Sequence, residues 1–140
     1  MSANYIMWPV LAQVLLTLLM FILLGVRKAQ SVKAGTVDRP KTALNNRLWP
    51  DEVVKVSNNI ANQFEIPILF YVLSLVLYSI NAVDTAALVL AWVFVLSRYA
   101  HAYVHTGSNY VPIRMRLFLV GCFVLIAMLV MAALRLGGLS

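Results

Sequence analysis

The chain has 140 residues, of which 62% are hydrophobic and 11% charged, with a mean hydropathy of +0.86 and a formal net charge of +6. Soluble globular domains are about 45–50% apolar and about 25% charged, and a body this small is mostly surface, so much of the apolar area has to face lipid. One cysteine excludes a disulfide-stabilised secreted scaffold. The sequence therefore predicts a small all-α integral membrane protein. The excess of basic residues indicates which side of the bilayer the connections occupy rather than binding to nucleic acid.

Four apolar segments follow one another along the chain. The first charge-free run, residues 6–24, is long enough to cross a bilayer, and Arg27 and Lys28 come directly after it. This order of charge is typical of an uncleaved anchor rather than a signal peptide. The other apolar runs begin near Ile66, at Thr85 and at Leu117. We predict one four-helix membrane domain over residues 1–140, with approximate spans 6–26, 62–81, 85–105 and 115–135.

The connections between these segments set the predicted topology. Residues 81–84 leave only a tight turn, so the second and third spans form a helical hairpin. Ten of the eleven basic residues lie in the other two connections: Arg27, Lys28, Lys33, Arg39, Lys41, Arg47 and Lys55 in the long first one, and Arg98, Arg114 and Arg116 around the last. The positive-inside rule then places both basic connections in the cytoplasm and both termini outside.

Two prolines mark local structure in and after the long first loop. Trp49-Pro50-Asp51-Glu52 predicts a helix start, since proline suits the first turn and acids there face the positive end of the helix dipole. Pro67 removes the hydrogen bond to the Gln63 carbonyl, which predicts a kink where this helix enters the second span.

Polar residues form one stripe on each of two helices at their cytoplasmic ends. Asn58, Asn62 and Glu65 share a face of the second span, and Arg98, His101 and His105 share a face of the third. Charge within a span is costly and usually has a partner. We therefore expect Glu65 to pair with Arg98, or with an arginine of another subunit. Together with Arg27 and Arg114, these residues predict a cationic pocket that takes an anionic, water-soluble ligand beside a bilayer that supplies an apolar one.

Three other interpretations remain open. The Glu65–Arg98 pair could serve assembly alone, in a non-catalytic oligomeric membrane scaffold. His101 and His105 could relay protons, although residues 86–96 offer no polar continuation across the span. A metal site is disfavoured, because no third ligand accompanies the two histidines.

The run Asn62-Gln63-Phe64-Glu65 with Pro67, and the run from Arg98 through His105 to Arg114, resemble the MAPEG family, the membrane-associated proteins in eicosanoid and glutathione metabolism. The likeness is to microsomal glutathione transferases and bacterial members, and it extends over essentially the whole chain. It implies a homotrimer of four-helix subunits in a bacterial inner membrane, with glutathione as co-substrate between neighbouring subunits. It also implies transferase or peroxidase chemistry on lipophilic electrophiles or hydroperoxides from the bilayer.

The resemblance also implies roles for individual residues. The family's Asn-x-x-Glu matches Asn62 and Glu65, its Arg-x-x-His matches Arg98 and His101, and the arginine that opens its fourth helix matches Arg114. This chain has Asn58 where many members have arginine, and His105 where many have tyrosine. The glutathione-binding residues implied are Arg27, Asn58, Asn62, Glu65, Arg98 and His101. Arg114 would stabilise the thiolate, and His105 would donate a hydrogen bond to the sulfur or accept its proton.

Overall fold

The computed structural model describes residues 1–139, and every element assigned in that range is helical. The α-helices are α1 (Met7–Lys33), α2 (Arg39–Thr42), α3 (Asp51–Gln63), α4 (Ile66–Ser79), α5 (Thr85–Thr106) and α6 (Val111–Leu136), with short 3-10 helices at Ala3–Ile6 and Asn46–Leu48. The helical stretches long and apolar enough to cross a membrane are Ala3–Lys33, Asp51–Ser79, Thr85–Thr106 and Val111–Leu136. The all-α, four-helix membrane fold predicted from the sequence is confirmed.

Several helices differ in extent from the predicted spans, and α6 begins at Val111 rather than at residue 115. α1 continues to Lys33, well past residue 26, because the basic and amide residues that end the apolar run are themselves good helix formers. The second span consists of two helices, α3 and α4, separated at Phe64 and Glu65. Pro67 lies in the first turn of α4, so the predicted kink is present as a complete break in the helix.

The predicted hairpin between the second and third spans is formed by a left-handed turn. Asn81 adopts φ +57°, and the Ala82 N–H donates to the Leu77 carbonyl at 2.8 Å, which is the 6→1 bond of a Schellman helix end. Asp84 then caps α5 by accepting from the Ala87 N–H at 2.9 Å. The two helices pack against each other through a stacked ring pair, Phe70 on Phe94, with centroids 4.5 Å apart.

Close packing at Gly121 draws α6 onto α4 and α5. A Cβ at this position would lie 3.4 Å from both Ile66 Cδ1 and Phe94 Cε2, so glycine lets the helices approach closely, as small residues do at helix contacts in membranes. The opposite, outward side of the bundle is apolar and exposed. On α1 this side includes Trp8, Leu11, Leu15, Leu18 and Ile22. Such faces are suited to lipid or to a neighbouring subunit.

Asp84 joins the start of α5 to the end of α6, which predicts a measurable contribution to stability. Its Oδ2 accepts from Arg135 Nη2 at 2.6 Å, with both side chains 38% exposed. We expect Asp84→Ala to lower the free energy of unfolding in detergent by about 1–2 kcal/mol, mostly through the lost cap. Asp84→Asn keeps a capping oxygen and loses the ion pair, so it should cost below about 1 kcal/mol. Equal losses for the two variants would show that the cap contributes little.

Candidate functional site

Polar residues of α3, α5 and α6 surround one open cavity at the end of the bundle where α5 turns into α6. Its volume is about 340 Å³, and it is lined by Asn58, Ala61, Asn62, Glu65, His105, Asn109 and Arg114. Asn58 and Glu65 are exposed, whereas His105 is buried. The structure thus brings five of the sequence-predicted site residues together around a space of ligand size.

The local folding of each segment explains this arrangement. α3 presents Asn58 and Asn62 one turn apart, and α5 presents His105 in its last turn. The break at Phe64 and Glu65, where Glu65 has φ −100° and ψ −109°, turns Glu65 away from the α3 face that packs on α5. Glu65 still lines the cavity, but at its open edge.

A second, smaller cavity adjoins the first and has a mixed lining. Its volume is about 190 Å³, and Asn62, His101 and Arg114 form its polar side. Val111, Met115 and Phe118 of α6 form its apolar side. Asn62 and Arg114 line both cavities, so these two side chains lie between a polar and an apolar compartment.

Arg114 is held in place by a residue that the sequence analysis did not select. Its Nη1 donates to Asn109 Oδ1 at 2.6 Å. Asn109 has φ +57°, and its N–H donates to the Val104 carbonyl at 2.7 Å. The Gly107-Ser108-Asn109 run in the sequence was the available signal, since asparagine tolerates this left-handed conformation in turns. Arg114 Nε is buried and has no acceptor among residues 1–139.

Arg98 lies one helical turn farther from the α5–α6 connection than His101 and is almost wholly buried, with 1% of its surface exposed. In the described part of the chain, its Nε and Nη2 and the Nδ1 of His101 are buried without hydrogen-bond partners. Buried donors in native proteins normally have acceptors. An arginine this deeply placed without one is therefore suited to an anionic group brought by a ligand or another chain.

The expected ion pair between Glu65 and Arg98 is not formed within the chain. Neither residue takes part in a salt bridge within residues 1–139. The salt bridges in that range are Arg27–Glu52, Lys41–Asp38, Lys55–Glu52 and Arg135–Asp84. The prediction treated α3 and α4 as one continuous helix, whereas the break before Pro67 leaves Glu65 exposed and Arg98 enclosed. Pairing of Glu65 with an arginine of another subunit remains a prediction.

Arg27 occupies a different place from the other predicted ligand-binding residues of the same subunit. Its Nη1 donates to the Glu52 carbonyl at 2.7 Å and lies 3.7 Å from Glu52 Oε2. The two residues line a cavity of about 300 Å³ formed by the end of α1 and the start of α3. Arg27 therefore does not converge within the chain with the other predicted polar residues, which are Asn62, Glu65, Arg98, His101, His105 and Arg114.

A buried polar network that sequence reasoning missed links α1, α3 and α5. Gln13 donates to Gln63 at 3.0 Å, Gln63 donates to Asn59 at 3.1 Å, and Asn59 Nδ2 lies 3.2 Å from His105 Nδ1. Thr17 Oγ1 also donates to Gln63 Oε1, at 3.3 Å. A lone amide, Gln13, within the first apolar run was the available signal, because an uncharged polar side chain in a span usually faces another helix.

A long apolar groove between α4 and α6 continues from the edge of the site. Its volume is about 410 Å³, and its lining is Ile66, Leu69, Val72, Leu73, Cys122, Leu125, Ile126 and Leu129. Cys122 is half-buried in this apolar lining. Ile66 follows Glu65 directly, so the groove begins beside the polar cavity.

Comparison with known protein families finds a match over most of the chain. The model of the MAPEG family matches residues 5–134, which include the lining residues of both polar cavities. No curated protein matches, and no solved structure matches.

Proposed function

This chain belongs to the MAPEG family and is an integral multi-pass membrane protein; from that premise we propose that it is a glutathione transferase of the membrane type. The proposal includes a homotrimer in a bacterial inner membrane, with glutathione bound between neighbouring subunits at the cytoplasmic end. The observation that carries it is the cavity lined by Asn58, Asn62, Glu65, His105 and Arg114. The buried, unpartnered donors of Arg98 lie one turn of α5 farther in than His101.

The charges at this site match those of glutathione, which has two carboxylates and one amine at neutral pH. Arg98 and Arg114 have free donors for carboxylate or thiolate, and charge-assisted hydrogen bonds of this kind are the strong ones. Glu65 forms no ion pair with a cation among residues 1–139 and is available to the amine. Asn58 and Asn62 add hydrogen bonds, and His101 adds another from the adjoining cavity.

Arg27 supports placement of the ligand between subunits. It lies apart from the cavity of its own chain, in the cavity that it shares with Glu52. A neighbouring subunit that packs against the exposed edge of the polar cavity brings a second set of cations to it. In that arrangement Arg27 of one subunit completes the binding site of the next.

Arg114 is positioned to act on the sulfur. A cation beside a thiol lowers its pKa and increases the thiolate fraction, which is the nucleophile. The thiolate then forms a carbon–sulfur bond to an electrophile as the leaving group departs. With a hydroperoxide, two glutathione molecules give the disulfide, the alcohol and water. His105, which lines the same cavity, donates to the sulfur or accepts its proton.

The lipophilic partner has an apolar approach to this point. Val111, Met115 and Phe118 face Arg114 across the smaller cavity, and the outer faces of Met115 and Phe118 are exposed in one subunit. A substrate dissolved in the bilayer can therefore reach the guanidinium without crossing water. This geometry favours a lipophilic electrophile over a polar one.

Equilibrium dialysis of the purified oligomer against labelled glutathione tests the proposal. We expect saturable binding, and Glu65→Gln should weaken it about tenfold or more, because a hydrogen bond to a charged group contributes about 1.5–3 kcal/mol. Asp51→Asn is the matched control, since Asp51 is an exposed acid on α3 away from the cavity. Absence of binding at millimolar glutathione, with the oligomer intact by light scattering, would overturn the proposal.

A further inference from the structure

We propose that Gln63 and Asn59 are positioning residues that hold His105 as a neutral imidazole with its hydrogen on Nε2, directed at the cavity. The role of that hydrogen at a bound sulfur rests on the proposed function, whereas the tautomer itself does not. Two roles were left open for His105, which were to donate a hydrogen bond to the sulfur or to accept its proton. The network favours the role of donor.

The polar chain runs from α1 to the cavity through fully buried side chains. Gln13 and Asn59 have no exposed surface, Gln63 has 1% and His105 has 3%. Each link between them is 3.0 to 3.2 Å long. Water is therefore kept from these groups, and their hydrogen-bond partners are each other.

Each amide in the chain presents its oxygen to one neighbour and its nitrogen to the next. Gln63 Oε1 accepts from both Gln13 Nε2 and Thr17 Oγ1, which leaves Gln63 Nε2 as the donor to Asn59 Oδ1. Asn59 Nδ2 then faces His105 Nδ1 at 3.2 Å. An amide nitrogen is only a donor, so Nδ1 has to be the acceptor and the neutral ring carries its hydrogen on Nε2.

A second amide, on the cavity side, supports the assignment of His105 Nδ1 as the acceptor. Asn62 Nδ2 lies 3.4 Å from the same Nδ1, so amides of two successive turns of α3 face one ring nitrogen. Nε2 is the ring nitrogen that remains for the cavity that His105 lines. A donor at this point stabilises a thiolate, whereas a base would have to present a bare nitrogen.

Nitrogen-15 NMR of labelled histidine in the glutathione-free oligomer tests the proposal. The chain has two histidines, and the signals of His105 are those lost in His105→Gln. Near neutral pH we expect one form, with hydrogen on Nε2 and none detected on Nδ1. A form protonated at Nδ1, or the mixture that an untethered imidazole shows, would overturn it.

Gln63→Leu tests the positioning role, because Asn59 Oδ1 then loses its donor and the Asn59 amide is free to turn. We expect an Nδ1–H form of His105 to appear in this variant. Ser74→Ala is the control, since Ser74 is buried on α4 and its Oγ has no partner among residues 1–139. If Gln63→Leu does not assemble, Gln13→Leu is used instead, because it removes the donor to Gln63 Oε1 one step farther from His105. An unchanged tautomer in an assembled variant would contradict the role.

The link to the sulfur has its own readout. The ultraviolet band of bound thiolate should fall about two- to tenfold in Gln63→Leu, as expected for one misdirected hydrogen bond. Because the NMR measurement uses no glutathione, a protein that fails to bind glutathione still reports the tautomer. Failure of the proposed function and failure of this inference are therefore distinguishable.

Discussion

Replacing Arg114 by alanine is expected to lower the rate of thiol conjugation about 100- to 1,000-fold, the usual effect of removing one preorganised electrostatic group from an active site. Arg114 lies between the polar and the apolar cavity, where a sulfur and a lipophilic electrophile would meet. Its donor Nε is buried without a partner in the described chain. The loss should appear in kcat more than in the KM for glutathione, because the charge acts on the thiolate.

Arg116→Ala provides a matched control for this measurement. Arg116 lies two residues away on α6, is exposed, and lines neither cavity, so its replacement removes the same charge from the same end of the same helix. We expect activity within about twofold of the unmodified protein, since surface substitutions of this kind have small effects. Equal losses in both variants would indicate a general effect of surface charge and would count against a catalytic role for Arg114.

The helices were largely predictable because their signals are local. Charge-free runs indicated the spans, Asn81 to Asp84 indicated the turn, and Pro67 indicated the break. The length of α1 was not predictable in the same way, because hydropathy reports where lipid ends rather than where a helix ends. The residues after Arg27 are polar but favour helix, so α1 extends to Lys33.

The candidate site was predictable only in part, since its geometry depends on how helices rotate against one another. The stripe Arg98, His101 and His105 is buried as expected for one helix face. Glu65 was placed on a continuous stripe, and the break at Phe64 and Glu65 moved it out to the cavity edge. The link from Gln13 to Gln63 joins residues fifty positions apart, and no local pattern shows which face of α1 contacts α3.

The identity of the group that pairs with Arg98, either Glu65 of a neighbouring subunit or a ligand, distinguishes a scaffold from an enzyme. In the scaffold interpretation, Arg98 is a structural group whose acceptor belongs to the assembly. In the enzyme interpretation, the unpaired N–H groups of Arg98 bind an anionic group of the ligand. Among residues 1–139 Arg98 has no acidic partner, and both interpretations place the acceptor in a ligand or another subunit. They differ in whether that acceptor is present before glutathione is added.

Arg98→Met is therefore expected to have opposite effects on stability and on binding. Methionine is long, unbranched and apolar, and adapts to irregular buried space. Replacing a buried charge that lacks an acceptor should leave the free energy of unfolding of the ligand-free oligomer unchanged, or raise it by up to about 4 kcal/mol. Saturable glutathione binding should be lost, and with it any stabilisation by millimolar glutathione. Thermal unfolding in detergent, with and without glutathione, measures both effects.

The scaffold interpretation predicts the reverse for the same variant. If Glu65 of a neighbouring subunit already pairs with Arg98, then Arg98→Met leaves that carboxylate buried and unpaired, which costs about 3–5 kcal/mol without any ligand. Adding Glu65→Gln should then restore much of the loss, because the stranded charge is removed. Under the enzyme interpretation the second substitution restores nothing, since the ligand-free oligomer has no pair to break. The sign of the first change and the presence of rescue therefore decide between the two interpretations without an activity assay.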